Sequence, residues 1–138
     1  MSTLPESAYA ILAIKPDFVK LIVQSAKNHE FRKYKLAEVQ RLWLYESSPI
    51  SQITHAVTTS TPKTPGEIRD PSSVSNDDFD AGKKASKYGY PVLHLDRLQK
   101  PLSIADMKDY GLRPPQGFTY VPSKLAEDLP LDEMVEVF

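Results

Sequence analysis

Six apolar or small residues in a row, Tyr9 to Ile14, are followed two positions later by Pro16, and this junction constrains the fold more than any other stretch of the chain. The run suits a buried strand. Proline cannot donate to a strand ladder, yet it fits the first position of a helix, where its missing N–H has no partner to lose. A strand must therefore hand over to a helix within two residues. The helix is expected over Pro16 to Ala26, with Phe18, Leu21, Ile22 and the small Ser25 and Ala26 recurring at three- and four-residue spacing on the face toward a core. Lys15 stands at the cap position, where Ser, Thr, Asp or Asn would normally serve the free amides.

Beyond the helix the pattern changes to period two. His29 to Tyr34 alternates, so that with Phe31 inward Glu30 and Arg32 point together to the other face. Arg41 to Ser47 alternates as well, with Leu42 and Leu44 on one side and Trp43, Tyr45 and Ser47 on the other. Ile50 to Thr59 is rich in Ile, Val and Thr, and the Ser48-Pro49 step makes a tight connection into it. Residues 60–73, with three prolines and Gly66 among Ser and Thr, read as a surface excursion. Ser75 and Asp78 have the spacing of a capping box and predict a helix from Asn76 to about Ser86. Tyr90 to Leu98 is expected to be one strand. Ser103 with Asp106, Leu102 with Met107, and then Gly111 predict a short capped helix. Phe118 to Val121 reads as a last strand, and Ser123 opens a helical turn ending at Pro130. The order implies an α+β domain on a small barrel or curled, largely antiparallel sheet.

Composition excludes several functions. The 138 residues form one domain, and the absence of cysteine removes disulfides, thiolate metal sites and a cysteine nucleophile. No apolar run approaches the length of a membrane span, and a cytoplasmic or nuclear protein is expected. The three histidines fall in three different expected strands without metal-ligand spacing, and the five glycines are scattered. No metal, cofactor or nucleotide phosphate loop is therefore expected. The net charge is only -1, but residues 15–41 hold seven cations against three acids, and residues 123–138 hold one cation against five acids. A solvated surface explains such an imbalance; a basic site for an anionic ligand is the sharper alternative.

The blocks Ala10-Ile11-Leu12-Ala13-Ile14-Lys15-Pro16 and Lys27-Asn28-His29-Glu30-Phe31-Arg32 resemble the opening of activating signal cointegrator homology (ASCH) domains. Leu44 to Pro49, Pro101 to Ile104, and Pro114 to Tyr120 are similar to later motifs of that family, so that the resemblance runs from residue 9 to about 121. Where the family has a glycine two positions ahead of the motif lysine, this chain has Ser25 and Ala26. The resemblance implies a PUA-like small β-barrel over residues 1–122, with a cleft between the barrel and the first helix for nucleic acid or a modified nucleoside. Residues 123–138 are then an acidic C-terminal extension.

Lys27, Glu30 and Arg32 form the sharpest constellation. A lysine at the helix exit and two residues on one strand face can meet in a cleft, the cations holding a phosphate and the carboxylate accepting from a base edge. A structural ion network is the alternative. Lys15 adds a charge beside the free amides of the helix start, and Tyr45 and Ser47 offer a stacking ring and a hydroxyl, Trp43 being assigned to the core. The expected ligand is RNA, single-stranded nucleic acid or a nucleoside, bound by a monomer. Some relatives resemble amidohydrolases of acetylated cytidine that place a threonine nucleophile three residues after the lysine. Glu30 occupies that position here, so Lys27 and Glu30 would be catalytic only in an altered mechanism, such as ribonuclease chemistry driven by the RNA's own 2′-hydroxyl.

Overall fold

In the computed structural model, which describes residues 9–36 and 38–138, the apolar run becomes β1 (Tyr9–Ile14) and the chain turns at Lys15 into α1 (Pro16–Val23). Ala10, Leu12 and Ile14 pack on one side of β1 and Ile11 on the other, so the strand is covered on both faces and shows no polar alternation. α1 buries Val19 and Ile22, whereas Phe18, expected inward, is 42% exposed. The helix also ends three residues before the expected Ala26. Ser25 takes a left-handed φ of 60°, and the N–H groups of Ala26 and Lys27 close back on Leu21 O at 2.9 and 3.2 Å.

The chain continues through β2 (His29–Arg32), β3 (Arg41–Glu46), β4 (Gln52–Thr58), α2 (Asn76–Asp80), β5 (Tyr88–Pro91), β6 (His94–Ser103), α3 (Ile104–Lys108), β7 (Phe118–Tyr120), α4 (Ser123–Asp128), a 3-10 turn (Leu131–Glu133) and β8 (Val135–Glu136). Six strands form one mixed sheet in the order β7-β1-β3-β4-β6-β8. Only β1 and β3 run parallel among these neighbours, so the expectation of a largely antiparallel sheet holds. β2 and β5 pair as a separate antiparallel ribbon. The ribbon is continuous with the sheet, because Val92 N–H bonds Asn28 O and Leu93 N–H bonds Thr58 O as the chain passes from β5 to β6. The α+β class therefore stands. The pairings among the described residues leave the six-stranded sheet with two edges, β7 and β8.

Alternation along the central strands divides the core in two. One cluster holds Leu12, Ile22, Leu36, Leu44, Tyr90 and Leu95, beneath α1 and the ribbon. The other holds Ile11, Trp43, Ile53, Leu98, Met107 and Leu125, beneath α3 and α4. The acidic segment 123–138 belongs to this body: α4 buries Leu125, and β8 pairs with β6 at Asp96 and Arg97.

Three local expectations are corrected. α2 spans five residues, not eleven; Ser75 takes a φ of 64° and makes no side-chain cap, and Gly82 at φ 73° follows the helix end. The single strand expected over Tyr90 to Leu98 is two strands, β5 stopping at Pro91. Pro122 and not Ser123 holds the cap position of α4. The box at α3 forms as read: Ser103 Oγ accepts from Asp106 N–H at 3.1 Å, and Asp106 Oδ2 accepts from Ser103 N–H at 3.0 Å.

Candidate functional site

β2 places Glu30 and Arg32 on one face, and the wrapped exit of α1 brings Lys27 to the same place. Arg32 Nη2 lies 3.6 Å from Glu30 Oε1, and Lys27 Nζ lies 4.0 Å from Glu30 Oε2. Lys27 and Glu30 are 5% and 8% exposed, so these charges meet almost out of water. Arg32 is anchored from the far side: Nη2 donates to Ala13 O at 2.8 Å and Nη1 to the Tyr34 hydroxyl at 3.4 Å. Glu30 Oε2 and Arg32 Nε are buried and have no hydrogen-bond partner. The carboxylate is thus held by charge at distances longer than a good hydrogen bond, which leaves one acceptor and one donor unused inside the cluster.

Aromatic rings wall the lysine. Its Nζ sits 4.7 Å from the Phe31 ring centroid and 5.5 Å from that of Phe18, which accounts for the outward Phe18. Lys84 Nζ approaches the same Phe31 ring at 5.3 Å. Burial pulls the Lys27 ammonium below the usual lysine range; Glu30 opposes that shift, and Lys84 and Arg32 add to it. Two cations, Lys27 and Arg32, therefore flank the Glu30 carboxylate, and a third, Lys84, stands across the Phe31 ring from Lys27 close enough to act on it.

The loop before α2 locks the lysine in place. Ala26 O accepts from Val74 N–H at 2.9 Å and from Ser73 Oγ at 3.1 Å, while Asn28 N–H donates to Ser73 Oγ at 2.8 Å. Asn28 Nδ2 donates to Asp70 Oδ2 at 2.9 Å, and the wholly buried Asn76 donates to Asn28 Oδ1 at 2.9 Å. With Asn28 Oδ1 an acceptor, His29 Nδ1 at 2.7 Å must carry the proton. The 60–73 stretch is therefore a brace for the residues on either side of Lys27.

The other expected site residues lie apart. Tyr45 is 5% exposed and packs in the cluster of Trp43 and Ile53, so its ring belongs to the core and not to a stacking surface. Ser47 is half-buried at the end of β3, its N–H on Ile14 O at 2.9 Å. Lys15 is exposed at the α1 cap and makes no side-chain cap bond. Among the described residues no hydrogen bond or ion pair joins Lys15, Tyr45 or Ser47 to the Lys27–Glu30–Arg32 cluster. Of the residues that do adjoin it, Phe18 reads in the sequence as core, and Tyr34 and Lys84 are not assigned to the site; Tyr34 alone has a signal, as the next residue on the Arg32 face of an alternating segment.

A cavity of about 690 Å³ lies at the opposite end of the sheet, lined by Lys35, Leu36, Val39, Arg41, Thr59 and Pro62 among others. Among the described residues no group of three or more His, Asp or Glu side chains is placed to hold a metal, and no helix is long and apolar enough to cross a membrane.

No protein-family model matches the chain, and no curated protein matches it in sequence. Solved structures do match. The crystal structure of ASCH from Zymomonas mobilis superimposes with a TM-score of 0.66 at 16% identity, over 88% of this chain and 92% of that one. Two mutant forms of the same protein give 0.69 at 16% identity over 88% and 95%, and 0.65 at 18% identity over 91% and 96%. The chain therefore has the fold of the ASCH domain of Zymomonas mobilis, a mixed-sheet α+β fold.

Proposed function

We propose that the chain is a binding module for single-stranded nucleic acid, RNA foremost, or for a nucleoside within it, centred on Lys27, Glu30 and Arg32. The observation that carries this reading is the pair of buried atoms without partners, Glu30 Oε2 and Arg32 Nε, inside a cluster of three cations and one acid. A purely structural ion network gains little by leaving them unmatched. An anionic ligand with a base edge supplies both: phosphate oxygens for the cations, and an exocyclic amine or ring N–H for the carboxylate.

Titration of the full chain with short single-stranded RNAs and a panel of nucleosides that includes 4-acetylcytidine tests the reading. Lys27→Ala is expected to lower affinity by about 1.5 to 3 kcal/mol, the worth of a hydrogen bond to a charged group. Wild-type protein that binds neither RNA nor any nucleoside ends it.

A hydrolase is the second reading, favoured by one observation. Burial lowers the Lys27 pKa, which brings the lysine closer to the range where it can take up or give a proton near neutral pH. Glu30 at the position of the relatives' nucleophile weighs against acyl transfer, and RNA cleavage by the substrate's own 2′-hydroxyl avoids that objection. Turnover of RNA or 4-acetylcytidine that disappears in Lys27→Ala, with substrate binding nearly kept, would establish it over simple binding.

A further inference from the structure

From the ring geometry beside Arg32 we infer that the site continues onto β7 as a stacking strip, so that it takes a strand of two or more nucleotides and not a lone nucleoside. This rests on the reading of the Lys27 cluster given above and extends it. β7 is an edge strand whose Phe118 and Tyr120 lie two positions apart, opposite Leu12 and Ala10, and hence share one face. They are 37% and 40% exposed. Their rings meet edge to face at 5.6 Å, and Tyr34 lies against Phe118 at 4.8 Å with the planes tilted by 36°. The Tyr34 hydroxyl accepts from Arg32 Nη1, so the three rings begin where the charged cluster ends.

The two segments that carry these rings are one-sided in charge. Arg32, Lys33 and Lys35 surround Tyr34, Arg113 precedes β7, and neither 31–36 nor 113–121 contains an acid, in a chain whose net charge is -1. Aromatic side chains at alternate positions of a strand, flanked by cations, are how sheet surfaces take successive bases of a single strand. A second copy of the chain pairing along the β7 edge is the competing occupant. Three residues bounded by Pro115 two positions ahead of Gly117 and by Pro122 behind make a poor edge for it.

The test uses calorimetry of the full chain with the four nucleoside 5′-monophosphates and the matching homotrinucleotides, on wild type, Phe118→Leu and Tyr120→Leu, which remove a ring and keep an apolar side chain in its place. The best trinucleotide is expected to bind wild type at least about tenfold tighter than its monophosphate, and Phe118→Leu to lose about tenfold on the trinucleotide while the monophosphate changes less than about twofold. Equal affinity for monophosphate and trinucleotide, or a trinucleotide indifferent to both leucine variants, overturns the strip and leaves the Lys27 cluster standing. Failure of every monophosphate and trinucleotide to bind removes both readings. A wild-type dimer by light scattering that Phe118→Leu dissociates assigns the face to a second copy and overturns the strip as well.

Discussion

The Asn76 side chain donates to Asn28 Oδ1 at 2.9 Å, joining residues 48 positions apart at the exit of α1. Asn28 turns the other end of its amide to Asp70, so one side chain ties the loop and α2 to the residue next to Lys27. A buried amide that donates to two acceptors, here Asn28 Oδ1 and Asp70 O, is costly to remove, because Asp70 O loses that donor and Asn28 Oδ1 is left with His29 Nδ1 alone. Asn76→Ala should destabilise the fold by about 1 to 3 kcal/mol. Thermal unfolding reads the size, and faster amide exchange at Lys27 and Asn28 than in wild type shows that the brace is what failed.

Gly89 lies opposite Phe31 in the β2–β5 ribbon, and a Cβ there would stand 3.3 Å from both Phe31 Cε1 and Ile68 Cδ1. Its backbone also pairs with Lys63 on the loop, which limits any retreat. Gly89→Ala should therefore cost about 1 to 3 kcal/mol through overpacking, and should shift the Phe31 ring that faces Lys27. Denaturant unfolding together with aromatic proton shifts checks it; an unchanged midpoint would mean that the ribbon yields freely.

Much of this was legible in the chain. β1 and α1 follow from an apolar run closed by proline, the α3 box from Ser103 and Asp106, and the Glu30–Arg32 side of the site from period two. Tyr45 was misplaced because β3 lies between β1 and β4 with core on both faces, so alternation separates two interiors and not inside from outside. The brace at Asn28 escaped because its partners, Asp70, Ser73 and Asn76, are 42 to 48 residues away in a stretch whose local composition signals only turns. Lys84 was hidden for the same reason: the expected long helix gave way to a short one, and the loop after Gly82 carries the lysine to Phe31.

Acid should weaken the fold in a defined window. Burial lowers both His29 and His55 from the ordinary 6.5 to about 4. Between these values the unfolded chain binds protons that the folded chain does not, so stability rises with pH across the window and is progressively lost as pH falls from about 6.5 toward about 4. His55 is held through Nδ1 to Thr54 Oγ1 at 2.7 Å, whose own proton goes to Glu46 at 2.6 Å. His55→Gln should flatten the melting temperature against pH over that range relative to wild type; parallel curves would show that His55 does not carry the dependence.

Lys84 offers the sharpest test of the charge cluster, because it touches the site only through the Phe31 ring and through its field on Lys27. Single-strand binding falls with salt with a slope of about -0.7 per phosphate neutralised, so contacts through Lys27, Arg32 and Lys84 predict a slope of about -2. Lys84→Ala should bring the slope to about -1.4 if Lys84 meets a phosphate. The same substitution removes a cation that lowers the Lys27 pKa, so Lys27 should keep its proton to higher pH. Lysine side-chain NMR resolves that shift directly, and it should move alkaline in Lys84→Ala while staying put in Lys108→Ala, whose lysine ends α3. A reduced salt slope with no movement of Lys27 would mean that Lys84 reaches ligand from outside the cluster; an alkaline shift with the slope unchanged would confine it to tuning Lys27.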